Sequence, residues 1–69
     1  MSADNYLLIV EGKDGVFRAY MQFASSEEEF LGNILFEAKD VKEAVLKAQQ
    51  YAREEFVEYG YYFRFYKEE

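Results

Sequence analysis

The side chains able to do chemistry in this chain are carboxylates, tyrosines and arginines. Fourteen Asp and Glu stand against eight Lys and Arg, leaving a net charge of −6. The acids gather as Glu27-Glu28-Glu29, as Glu54-Glu55 with Glu58, and as Glu68-Glu69. A spaced array of carboxylates can imitate nucleic-acid phosphates and occupy the basic groove of a protein that handles DNA or RNA, with complementary fields speeding the encounter. The simpler use of such runs is a solvated surface that keeps a domain in solution. The arginine of interest is Arg64, set among Tyr61, Tyr62, Phe63, Phe65 and Tyr66. Sheets that stack nucleic-acid bases share this mixture, but they line basic grooves, and this chain is acidic.

Catalysis finds no constellation. Ser2, Ser25 and Ser26 are the only aliphatic hydroxyls, and no histidine is present to activate one. Paired carboxylates of the glycosidase kind need a cleft around a sugar, for which a one-helix domain has little room. Gly12 and Gly15 do not match phosphate-loop spacing, and the Glu27–Glu29 run lacks the alternating ligands and glycine of a calcium loop. Without cysteine or histidine, disulfides, zinc-thiolate sites and the commonest metal ligand are excluded. The chain reads as non-enzymatic, with no cofactor and no metal.

Sixty-nine residues make a single domain, 1–69, near the size at which one core only just outweighs chain entropy. A hydrophobic content of 51% with 20% aromatic residues is far above that of a disordered segment. No apolar run approaches the roughly 18 residues that span a bilayer, and the first residues lack the pattern of a secretory signal. A cytosolic location follows. An isoelectric point near 4.6 argues against direct binding of nucleic acid or of anionic membranes.

The elements that must carry these groups are organised around Asp40 to Gly60, an amphipathic helix with an Asp40–Glu43 capping box and Gly60 as its left-handed stop. Its apolar stripe comprises Val41, Ala44, Val45, Ala48, Tyr51, Ala52, Phe56 and Tyr59, with Glu55 intruding on it. Asn5–Glu11 is a strand, Gly12–Gly15 a turn, and Val16–Ala24 a second strand whose period of two puts Phe17, Ala19, Met21 and Phe23 on one face. The turn is either type I closed by a left-handed Gly15 or a tighter type I′ at Asp14-Gly15. Ser25–Gly32 reads as a single helical turn or ordered loop. Asn33–Ala38, with Ile34, Phe36 and Ala38 alternating, is a third strand, and Tyr61–Tyr66 a fourth. The fold class is α+β: a small antiparallel-type sheet in β-β-β-α-β order, the last strand beside the first, and the helix over one face.

This arrangement turns Phe63 and Phe65 toward the helix and leaves Tyr62, Arg64 and Tyr66 on the back of the sheet. Arg18 and Tyr20 join them from the second strand, and Tyr6, Leu8 and Val10 from the first. A back face rich in Tyr and Arg has the composition of an interface hot spot. The candidate protein-binding residues are therefore Arg18, Tyr20, Tyr62, Arg64 and Tyr66, with Glu27, Glu28 and Glu29 as an acidic element. The plain alternative is that tyrosines merely cover an open sheet and keep their hydroxyls wet. A homodimer through this face would also supply what a short core lacks.

The opening Met1-Ser2-Ala3-Asp4-Asn5, the Phe36-Glu37-Ala38 lead into the helix and the Glu58-Tyr59-Gly60 exit from it resemble a scattered group of short proteins from phages and their bacterial hosts. The resemblance supplies no functional residues. It implies a phage or mobile-element origin and hence a small inhibitor of a host enzyme; joined to the acidic clusters, the reading becomes an acidic inhibitor or adaptor of a host nucleic-acid-handling enzyme in the host cytoplasm. The other reading of the same features is a structural homo-oligomer with no foreign target.

Overall fold

The computed structural model describes residues 4–25 and 31–67. Four strands and one helix follow one another as β1 (Asn5–Glu11), β2 (Phe17–Phe23), β3 (Phe36–Ala38), α1 (Val41–Glu55) and β4 (Tyr61–Arg64). The expected β-β-β-α-β order is observed, and the strands lie in the order β3-β2-β1-β4, with the last beside the first. The sheet is mixed rather than antiparallel throughout. β1 pairs antiparallel with β2, and β2 with β3, but β4 runs parallel to β1 because the helix carries the chain back before the last strand begins.

The β1–β2 hairpin closes by the first of the two turns considered. Gly15 N–H donates to the Gly12 carbonyl at 3.0 Å, and Gly12 N–H donates to the Val16 carbonyl at 2.9 Å. Gly15 takes φ 83°, the left-handed residue of a three-residue type I loop. Asp14 adds an Asx contact, its Oδ1 accepting from Val16 N–H at 3.1 Å.

β3 is shorter than its sequence pattern. Leu35 N–H bonds the Ala19 carbonyl at 2.8 Å, one residue out of step with the Ala19–Phe36 register. The alternation breaks there, so Leu35 packs on the core and Ile34 is left exposed.

Asp40 caps α1 as expected, accepting the Glu43 N–H at 2.7 Å. The reciprocal bond is displaced by one residue: Glu43 Oε1 accepts from Lys39 N–H at 2.8 Å rather than from the cap itself. Lys47 Nζ donates to the Glu37 carbonyl at 2.6 Å and ties the helix to β3.

At its far end the helix stops well before Gly60. Phe56 takes the left-handed conformation, φ 54°, and the Phe56 and Val57 N–H groups both bond the Ala52 carbonyl. This is a Schellman-type stop built on a phenylalanine. Val57 packs on the core, which fixes the stop where it is, while Phe56, expected on the apolar stripe, is 85% exposed. Gly60, at φ 77°, instead opens β4.

Leu7, Ile9, Phe17, Ala19 and Ala38 from the sheet meet Ala44 and Ala48 from the helix to form the core. The two alanines let the helix backbone come close to the sheet, and Met21, Phe36, Tyr51, Tyr61 and Phe63 pack around the rim. A ladder of rings continues the core outward: Phe63 stacks on Phe65 at 5.5 Å, and both meet Phe17 edge-on.

Candidate interaction surface

With Leu7 and Ile9 committed to the helix side, the pleat turns Tyr6, Leu8 and Val10 to the other face. The register lays neighbouring strands across them in rows. Tyr20, Leu8 and Tyr62 form one row, and Glu37, Arg18, Val10 and Arg64 the next. Tyr6 lies beside Gln22 at one end. These side chains line the face opposite the helix, where the sequence pattern placed them.

Leu8 is only 6% exposed although α1 packs on the opposite face of the sheet. Its flanking tyrosines shield it, and Tyr6 meets Tyr62 edge-on at 5.4 Å and 86°. Tyr6, Leu8, Ala24, Tyr59 and Tyr62 line an open hollow of about 580 Å³. Tyr59 was expected on the helix stripe. The early stop at Phe56 frees it from the helix and brings it to this hollow.

Asn5 is the residue that aligns this end of the sheet, and sequence reasoning assigned it no role. Its side-chain oxygen accepts from Glu58 N–H at 3.0 Å, and its carbonyl accepts from Tyr59 N–H at 3.0 Å. The loop after the helix is thereby pinned to the start of β1 before Leu7 N–H meets the Gly60 carbonyl at 2.9 Å. An Asn as the first residue of an apolar strand is the one local signal for it.

Arg18 is bound into a bridge. Its Nη2 lies 2.8 Å from Asp14 Oδ2 in the hairpin turn, and its Nε lies 3.1 Å from Glu37 Oε2 across the sheet. The hydrogen bond from Arg18, followed by that from Val16 N–H, lowers the Asp14 carboxyl to about 2, and the same contact pushes the Arg18 guanidinium up. Gly12 lies against this bridge: a Cβ there would come within 2.7 Å of both Arg18 Nη1 and Asp14 Oδ1. On the far side of the hairpin, the Ser25 hydroxyl holds the Asp4 carboxyl below its usual range, and Ser25 N–H donates to Asp4 Oδ2 at 2.9 Å.

Of the other sequence-predicted residues, Tyr20, Tyr62 and Arg64 fall on this face within their strands. Tyr66 lies beyond β4, where its N–H donates to Glu11 Oε1 at 2.9 Å. Glu27, Glu28 and Glu29, with most of the segment read as a helical turn, lie outside the described residues. Among the described residues no group of three or more acidic, histidine or cysteine side chains could hold a metal ion, and no helix is long and apolar enough to cross a membrane. Comparison with protein-family models, with curated proteins and with solved structures finds no match to this chain.

Proposed function

We propose that this chain is a non-enzymatic protein-binding module whose working surface is the sheet face opposite the helix. One observation carries the reading: Tyr6, Tyr59 and Tyr62 surround a hollow floored by Leu8, on a side of the sheet that α1 does not reach. Tyrosines present large, rigid, amphipathic area at small entropic cost, which is why they anchor interfaces. The charge of −6 selects partners with a basic surface. A nucleic-acid-handling protein held by an acidic inhibitor or adaptor is the most specific form of this proposal.

Tagged wild type, Tyr6→Ser with Tyr62→Ser, and Leu46→Ser on the outer face of the helix are used to capture proteins from a host lysate. The expected result is a basic protein recovered by wild type and by the Leu46 variant, lost with the tyrosine variant, and released as salt rises. Equal recovery by all three folded proteins, or a partner insensitive to salt, overturns the reading.

A further inference from the structure

β4 is an edge strand, with β1 on one side and no strand on the other among the described residues. The Leu7 N–H bond to the Gly60 carbonyl, with Leu7 in register with Tyr61, sets the direction of its backbone groups. Even-numbered residues turn theirs toward β1, and Tyr66 N–H, meeting Glu11, keeps that parity. Tyr61, Phe63 and Phe65 therefore turn N–H and C=O groups to the open side. Natural edges are commonly blunted by proline, by lysine or by an inward charge. Residues 61–66 contain none of these: the chain has no proline, and the one charge here, Arg64, sits on the outer face.

We infer that two copies of this chain pair antiparallel along the open edge of β4, with Phe63 opposite Phe63. The occupant follows from self-complementarity. In a twofold antiparallel pairing centred on Phe63, the outward backbone groups of Tyr61, Phe63 and Phe65 meet one another, and Arg64 of each copy lies across from Tyr62 of the other. A centre at Arg64 would oppose two guanidinium groups, and a centre at Tyr62 would draw in the Gly60 turn. Within β4 the Phe63 register places a cation across from a ring at both ends, whereas a centre at Phe65 would set Arg64 across from Tyr66 only by pairing residues beyond the strand. The product is a continuous eight-stranded sheet with both helices on one side. On the other side the two tyrosine hollows come together as one surface. The pairing rests on the backbone edge and stands whether or not the tyrosine face binds a foreign partner.

Pairing of two short strands buries little area, so association belongs to the weak, micromolar class. Because each copy carries −6, added salt strengthens it, opposite in sign to the capture of a basic partner. Sedimentation equilibrium from micromolar to millimolar protein reads the constant directly. Phe65→Pro removes an outward N–H without touching the β1 ladder, and it should weaken the dimer about tenfold by deleting one bond at each end. Tyr62→Lys puts like charge across from Arg64 at both ends, and Tyr62→Glu puts opposite charge there. The lysine variant should dimerise about tenfold more weakly than the glutamate variant. A wild type that stays monomeric at millimolar concentration leaves the edge to a strand of some other protein and overturns the proposal. So does a dimer unaffected by Phe65→Pro, or equal dimerisation of the two Tyr62 variants, while equal lysate capture by wild type and the tyrosine variant, with the dimer intact, counts against the tyrosine face alone.

Discussion

A phenylalanine held at φ 54° while 85% exposed is an unusual use of a large side chain. Left-handed backbone costs a side chain with a Cβ about 1 kcal/mol relative to glycine, and Phe56 recovers little of this by burial. Phe56→Gly should therefore stabilise the domain by about 1 kcal/mol, raising the melting temperature by roughly 4–8 °C. A lower melting temperature would mean that the ring is packed after all. Asp14 gives the second expectation at this scale. Its folded carboxyl lies near 2, below the ordinary 3.8, so its contribution is complete above pH 4 and is lost as pH falls through about 2. Asp14→Asn should flatten that acid limb of the stability profile in urea melts. An unchanged limb would place the acid sensitivity elsewhere.

At the scale of elements, the helix face is tested by contrast. Ala48 is fully buried against the sheet, so Ala48→Glu buries an unpaired carboxylate and should cost several kcal/mol, on the order of the stability of a small domain. Leu46→Glu, at a position 59% exposed, should cost under about 0.5 kcal/mol. Equal losses in thermal melts would show the wrong face assigned. The place of Ala48 was readable in the chain because helical period is a local property, as are the capping aspartate and the hairpin glycine. Two of the boundaries that sequence misplaced, the helix end and the start of β3, are set by distant contacts; the last strand also ends at Arg64 rather than Tyr66. Val57 stops the helix by entering the core, and Leu35 shortens β3 by bonding Ala19 out of step. Period two likewise put Tyr20, Tyr62 and Arg64 on the outer face. It could not place Tyr59 beside Tyr62, since that depends on where the helix stops and on Asn5 holding the loop.

For the molecule as a whole, a core built largely of alanines and a few larger residues in a body only 17 Å thick leaves little reserve of stability. If copies pair along β4, the folded state gains from mass action, and the melting temperature should climb with protein concentration. The check is differential scanning calorimetry over a hundredfold range of concentration, with Phe65→Pro as the variant whose melting temperature should begin to climb only at about tenfold higher concentration. A wild-type melting temperature independent of concentration would count against pairing.

Asn5 reaches residues 58 and 59, and β1 completes its second ladder only with the last strand. During synthesis the segment Asn5–Glu11 therefore emerges first and waits longest. The hairpin with β2 forms early, because its closure is local. The other side of an apolar strand, Leu7-Leu8-Ile9-Val10, stays without a neighbour until β4 leaves the ribosome. In that interval the central strand is the exposed edge. Crowded refolding should consequently lose material through β1 rather than through β4, and a chain released before Tyr61 should aggregate by the surface that the finished fold protects best.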